Sequence, residues 1–409
     1  MIKVGSDFSG VGAFNQALIR LGIKYEEVFA CDMDKYARQT FIHNYGKPKY
    51  YPKNVYEREI PSEPLDIYMT SPPCQAFSLA GKRLGKDDKR GILFFNSLEF
   101  IQVNKPRYFI FENVKGLLSD DGGKTFSEWV NLLGGKSING NAVLFPYEDS
   151  VPYHLYWQVL NAKHHGVPQN RERVFLIGIR DDWDNNFRFP VEEHLTKRLK
   201  DVLEDSVDEK YFLSENMVSY LIKNQQKRSL PFADGSENHA NCLTSVYHKT
   251  PTDGQYLKIK SATSKGYEEA KEGDSINFSV PSSETRRGRV GKGVAQTLDT
   301  GCNQGVIYND KRLNQTIAKN YLPKGEIKAI DTYNKKVQDN APTLTEPHHN
   351  TTRLWDGYKI RRLTPRECFR LMDFPDTFTW TVSDSQAYKQ AGNSIVVNVL
   401  YKIIKNLNL

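Results

Sequence analysis

Cys74 stands in the string SPPCQAFSLAGKR, behind two prolines and just after the apolar run 65–69, which presents a thiol on a stiff loop at the carboxyl end of a strand. Pro72 and Pro73 restrict the backbone, so the sulfur meets a substrate from a set direction with little entropy left to lose. Taken alone, a free cysteine is as readily a small buried filler. Glu112 ends the strand of FIFENVKGL, and a carboxyl group held near a thiol over an enclosed pocket can protonate a ring nitrogen while the sulfur attacks. In VPQNRERVFLIGI, Arg171 and Arg173 lie two apart, so on an extended segment both guanidinium groups face one side. One can meet a substrate carbonyl and the other brace a carboxylate, against the plainer reading of two solvent-facing arginines.

A second set of residues suits a cofactor. DFSGVGAF reads as strand, glycine turn and helix, and Gly10 and Gly12 let backbone amides approach a ligand closely. The next strand ends in Cys31-Asp32-Met33-Asp34, where an acid is placed to accept hydrogen bonds from two ribose hydroxyls. A nicotinamide or an adenosyl cofactor satisfies this equally.

These residues need a scaffold that gathers strand ends. From Met1 to about Arg180 short apolar segments at 2–8, 27–31, 65–69, 108–111 and 174–179 alternate with amphipathic stretches such as Ala13, Ala17, Leu18 and Leu21. That alternation predicts an α/β fold with a doubly wound sheet, whose ligand sites lie beyond the carboxyl ends of the strands. Between about 181 and 357 the chain turns polar and loop-rich, which marks a second, smaller domain. ANCLTS, AQTLDT and APTLTE in that region share a pattern, but their unequal spacing falls short of a repeat. Helical patterning returns near Arg361, with Thr364 as a helix cap and Pro365 in the first turn. The last apolar face, Ile395, Val399 and Ile403, is expected to pack back on the first domain and make it discontinuous.

Composition narrows the class. With 409 residues, 39% hydrophobic and 26% charged, the chain can hold two domains and a substantial core. No apolar stretch is long enough to span a bilayer and the start MIKVGSDFSG is unlike a signal peptide, so a cytoplasmic protein without membrane contact is expected. The five cysteines form no CxxC pair and the nine histidines no HExxH, so no metal is expected. A net charge of +7 is compatible with a polyanionic partner.

SPPCQAFSLAGKR, FENVKGL, QNRERV, RRLTPRECFRLMDFPD and SQAYKQAGNS, in that order after FSGVG, resemble the DNA (cytosine-5)-methyltransferases, in particular the bacterial and phage modification enzymes. The resemblance covers nearly all of 1–180 and about 360–409. It implies a Rossmann-like methyltransferase sheet, S-adenosylmethionine as cofactor, and double-stranded DNA as partner. It also implies a catalytic domain from 1–185 plus 383–409, a target recognition domain at 186–357, and a hinge and helical return at 358–382.

By the resemblance, Phe8, Ser9, Gly10 and Gly12 line the methionine side, Asp32 holds the ribose, and Met33 lies against adenine where the family often has a bulky aromatic. Asn54 stands where the family commonly has Asp and can still accept from the adenine amino group. Val55, Pro73 and Leu93 complete that pocket, and Asn393 and Ser394 close it. The implied reaction adds the Cys74 thiolate to carbon 6 of cytosine, with Glu112 protonating N3, Arg173 orienting Glu112, and Arg171 binding the O2 edge. Carbon 6 is inaccessible in a stacked duplex, so the base must turn out of the helix.

Residues 75–90 form the natural closing loop, and Gln75, Ser78, Lys82 and Arg83 are expected on DNA. RRGRVGKG at 286–293 adds Arg286, Arg287, Arg289 and Lys292 as phosphate or base-edge contacts. A monomer on DNA is expected, in a bacterial or phage-infected cell, with any cognate restriction nuclease acting separately. Rival readings are an RNA cytosine methyltransferase and a silent DNA-binding protein. A nicotinamide oxidoreductase leaves Cys74, Glu112 and the arginine pair unexplained. The stretch 136–153 has no assigned role.

Overall fold

The computed structural model describes residues 1–73, 92–183, 186–212, 257–271, 273–279, 283, 285–298 and 358–409, with four short strands between 304 and 354. Cys74, Gln75, Ser78, Lys82 and Arg83, as well as the strings ANCLTS and APTLTE, lie outside the described residues. The chain divides into two compact units, one of Met1–Leu203, Gln296–Cys302 and Pro365–Leu409, the other of Glu204–Ala295 and Asn303–Thr364.

The first unit is built on an eight-stranded sheet. Its strands are β1 (Ile2–Asp7), β2 (Tyr25–Cys31), β3 (Ile67–Thr70), β4 (Tyr108–Val114), β5 (Ser137–Ile138), β6 (Asn141–Ala142), β7 (Tyr153–Asn161) and β9 (Glu172–Arg180), with the short β8 (Gln169–Asn170) outside it. The order is β2-β1-β3-β4-β9-β7-β5-β6. The first four strands run parallel, with Asp7 opposite both Cys31 and Thr70, and Thr70 opposite Phe111. Their carboxyl ends therefore share one edge. β9 runs antiparallel to β4, pairing Val114 with Arg173, so its amino end returns to the same edge.

Local chemistry explains the ends of these elements. The expected first strand reached Phe8, but Phe8 adopts φ 57° and β1 stops at Asp7. The helices among the described residues are α1 (Ala13–Arg20), α2 (Lys35–Tyr45), α3 (Ile92–Asn104), α4 (Lys124–Leu133), α5 (Pro365–Leu371), α6 (Asp384–Asn393) and α7 (Val397–Lys405). Asp34 caps α2, accepting from the backbone N–H groups of Tyr36 and Ala37. The carboxyl-terminal α7 packs on α1, as its apolar face requires. The unassigned stretch 136–153 holds the β5–β6 hairpin, turned by Asn139 and Gly140, both at positive φ.

Aromatic side chains fill the core beneath the shared edge. Phe94 stacks on Trp129 at 4.1 Å and Tyr68 on Phe100 at 4.1 Å, with Phe111 and Leu117 buried beside them. Burial at roughly 25 cal/mol per Å² of apolar surface makes this cluster the chief support of the strands that carry the site.

The second unit consists of antiparallel pieces. β10 (Leu257–Lys260) pairs with β11 (Tyr267–Ala270). β12 (Ser275–Asn277) lies between β13 (Val290–Gly291) and β15 (Gln304–Asn309), after the short β14 (Ala295–Gln296) in sequence. β16 (Ala329–Asp331) pairs with β17 (Lys336–Gln338) and β18 (Thr352–Leu354), while β19 (Tyr358–Arg362) pairs with β15. Among the described residues, no helix is long and apolar enough to cross a membrane.

Candidate active site

Residues 71–73, which lead up to Cys74, are held beside the strand end that carries Glu112. Thr70 and Ser97, both fully buried, share a hydroxyl hydrogen bond of 2.8 Å. Two residues on, the Pro72 carbonyl accepts a 3.2 Å hydrogen bond from Asn113 Nδ2. Asn113 is therefore a loop anchor, a role its place beside Glu112 in FENVKGL did not declare. The Glu112 carboxyl is 7% exposed and lies 3.1 Å from Arg173 Nε, while Arg173 Nη1 donates to the Glu172 carbonyl at 2.7 Å. Burial raises the Glu112 pKa above the ordinary carboxyl value, against the pull of Arg173 and Arg171.

Arg171 does something other than the expected substrate contact. It is 3% exposed, and Nη2 donates to the carbonyls of Gly392 at 3.1 Å and Ser394 at 2.8 Å. Nη1 donates to the Leu298 carbonyl at 3.3 Å. Both terminal nitrogens thus hold main chain. The physical reason is that Arg171 precedes β9, which begins at Glu172, so strand alternation does not set its direction. Burial, then the neighbouring Arg173 charge, push its guanidinium pKa down to about 9, still protonated at neutral pH. Gln169, fully buried, supports the same joint by donating to the Leu371 carbonyl at 2.7 Å.

The glycine turn lies at the adjacent strand end. Ser9 N donates to the Cys31 carbonyl and Gly10 N to Asp32 Oδ2 at 2.8 Å, while Asp32 Oδ1 accepts from Asp34 N at 2.8 Å. Burial raises the Asp32 pKa, and the two N–H groups oppose that rise. Gly12 has φ 85°, and a Cβ there would come within 2.2 Å of the Tyr45 ring. Gly12→Ala is therefore expected to cost roughly 1–2 kcal/mol in backbone strain alone. It should weaken cofactor binding as Tyr45 is displaced. Thermal unfolding and cofactor titration of the variant check this.

The other expected cofactor residues are distributed unevenly. Val55 and Leu93 belong to the apolar cluster below the edge. Ser9 Oγ lies 3.5 Å from the Tyr51 hydroxyl. The Asn54 amide is occupied locally, accepting from Tyr56 N at 3.1 Å and donating to Glu57 at 3.3 Å. Met33 is 85% exposed, Pro73 and Asn393 are exposed, and Ser394 is buried. Two residues that sequence reading missed frame this corner. Arg38 donates to the carbonyls of Tyr51 and Pro52, both at 2.7 Å, and Lys389 of α6 pairs with Asp34 at 2.6 Å. Each joins segments distant in sequence, and no local spacing marks them.

In the second unit the basic string 286–293 is only partly available to a ligand. Arg289 is 1% exposed and donates to the carbonyls of Asn277 and Ser279, so its expected DNA contact is corrected to a structural role. Lys292 reaches the Glu269 carbonyl and lies 3.5 Å from Asp274. Arg287 is exposed, with Nε on the Ala262 carbonyl at 3.0 Å, and Arg286 is half-buried. Among the described residues, no three His, Cys, Asp or Glu side chains are grouped to hold a metal.

The C-5 cytosine-specific DNA methylase family matches residues 2–408. The orphan methyltransferase M.SPRI of Bacillus phage SPR is 33% identical, over 99% of this chain and 97% of the relative. The type II methyltransferase M1.ScrFI of Lactococcus lactis subsp. cremoris is 29% identical, over 98% of this chain and 76% of its own length. Among solved structures, S. pombe Dnmt2 methyltransferase superposes with a TM-score of 0.54 at 18% identity, covering all of both chains. A putative DNA modification methyltransferase from an E. coli prophage gives 0.54 at 19% identity, covering 99% and 98%. These two likenesses concern the fold. Because the family match runs almost end to end and not over one motif, the chain belongs to the C-5 cytosine-specific DNA methylases, which transfer a methyl group from S-adenosylmethionine to DNA.

Proposed function

We propose that the chain methylates a cytosine turned out of duplex DNA through a transient bond between Cys74 and carbon 6. The observation that carries this reading is the pairing of a buried, arginine-braced Glu112 with the anchored root of the Cys74 loop on the neighbouring strand. Cys74 thiolate adds to carbon 6 as the Glu112 proton passes to N3, leaving an enamine nucleophilic at carbon 5. Bound S-adenosylmethionine supplies an electrophilic methyl group for that carbon. Loss of the carbon 5 proton to a base then expels the Cys74 sulfur as thiolate, and the N3 proton returns to the Glu112 carboxylate, which releases neutral 5-methylcytosine and restores the acid. Turning the base out costs roughly a few kcal/mol, recovered in pocket contacts.

The 8–12 turn fits the cofactor. Among the described residues, a Cβ on Gly10 would meet nothing nearer than the Phe8 carbonyl oxygen at 4.0 Å, which leaves room beside the turn. The Asp32 carboxylate, oriented by two N–H groups, keeps lone pairs to accept from ribose hydroxyls. Arg173 holds Glu112, and Arg171 fixes the 392–394 segment beside the pocket.

Sequence-specific reading falls to the second unit, where Arg286 and Arg287 are the candidate cations. The type II relative supports a role in protecting DNA from a restriction nuclease, and we take the chain to act as a monomer. Bisulfite sequencing of DNA from cells expressing the chain tests the reading. Protected cytosines in one short recurring context are expected, and protection absent from DNA, or confined to RNA, overturns it.

A further inference from the structure

One buried ion pair lies under the cofactor turn, and the reaction just described does not use it. Asp7 is 1% exposed, and its Oδ1 lies 3.0 Å from Nε of Arg58, whose side chain is 2% exposed. The other carboxylate oxygen accepts from the Tyr68 hydroxyl at 2.6 Å. Arg58 Nη2 lies 3.4 Å from the Asn96 carbonyl, and the guanidinium sits over the Phe100 ring at 4.6 Å.

Its placement gives this pair a reach beyond local packing. Asp7 is the last residue of β1, immediately before Phe8 enters the left-handed region and starts the 8–12 turn. Arg58 closes the segment that begins at Tyr51 and carries Asn54 and Val55. The near end of that segment is held by Arg38 through the Tyr51 and Pro52 carbonyls. Its far end is held by Arg58 on Asp7. A buried ion pair gives little net stability over apolar side chains of equal volume, so its best physical use is to fix one arrangement among several.

We propose that Arg58 is a positioning residue for the cofactor: paired with Asp7, it fixes the 51–58 segment against the 8–12 turn and thereby sets the affinity for S-adenosylmethionine. The inference rests on the reading of that turn as the cofactor cradle. An apolar residue at 58 would release the far end of the segment and leave the buried Asp7 carboxyl with the Tyr68 hydroxyl in place of its cation.

The test uses the full chain and compares Arg58→Met, Arg58→Lys and the double variant Asp7→Asn/Arg58→Met. Cofactor affinity is read by calorimetry with S-adenosylmethionine, alongside KM for cofactor and for a DNA duplex, and thermal unfolding. Arg58→Met is expected to raise the Kd and KM for cofactor at least tenfold, with KM for DNA within twofold. The double variant should regain thermal stability, since no charge is stranded, but not cofactor affinity. Arg58→Lys should fall between. Wild-type cofactor affinity in Arg58→Met, or in the double variant if the single one does not fold, overturns the proposal. Asp32→Ala separates the two readings: wild-type affinity in that variant sinks the cradle itself, whereas weakened binding there with none in the Arg58 variants sinks only the role of Arg58.

Discussion

Glu112→Gln is expected to lower turnover by roughly two to four orders of magnitude, the range ascribed to a positioned general acid. The amide keeps the size and part of the hydrogen bonding to Arg173, so folding should survive. What it removes is the proton that the proposed mechanism delivers to the ring nitrogen. Burial holds the Glu112 pKa above the ordinary carboxylate value, so the wild-type enzyme keeps its proton to higher pH than a surface glutamate does. Activity should fall as pH rises through that folded value, and single-turnover rates across pH should show this limb flattened in Glu112→Gln. The sign for stability follows from the same shift. A raised folded pKa contributes stability that is fully present below the unfolded value and is lost as pH rises through the folded one. An unaltered rate at neutral pH in the variant would remove Glu112 from the mechanism.

Arg171→Ala is expected to destabilise the first unit by about 3–5 kcal/mol, because each buried acceptor left without a donor costs about 1–3 kcal/mol and water recovers only part. Three carbonyls lose their partner, those of Leu298, Gly392 and Ser394. Arg171→Lys keeps the charge but not the planar fork, so it should recover part of the loss. Denaturant unfolding measures both. The discriminating comparison is with Arg173→Lys, which should unfold near the wild-type midpoint yet turn over slowly, since Arg173 braces Glu112 across strands that are already paired by their backbones. Equal unfolding losses at the two positions would contradict the division of roles.

Much of this architecture was legible in the sequence because it depends on local patterns. Parallel strands covered on both faces read as short apolar runs, and glycine turns and prolines mark where they end. The order β2-β1-β3-β4 then brings Asp32, the 8–12 turn, the Cys74 root and Glu112 to one edge without any further information. What escaped was long-range burial of charge. RRGRVGKG gives no sign that Arg289 alone among its cations is enclosed, since that depends on the Asn277 and Ser279 carbonyls. The spacing of Arg171 and Arg173 predicts a shared face only if both lie on the strand, and β9 starts between them. Asp7 and Arg58 lie 51 positions apart in the chain and meet only in the folded structure. In each case the decisive neighbour comes from another element.

The central chemical claim is a transient carbon–sulfur bond, and a mechanism-trapping measurement tests it most directly. A duplex carrying 5-fluorocytosine at the mapped target cytosine cannot lose a proton from carbon 5, so the adduct should persist. Incubated with the chain and S-adenosylmethionine, it is expected to yield a complex that survives denaturation, maps by mass spectrometry to Cys74 and is absent from Cys74→Ser. Efficient methylation of the ordinary duplex with no trapped complex, or a bond to any other residue, would contradict the account.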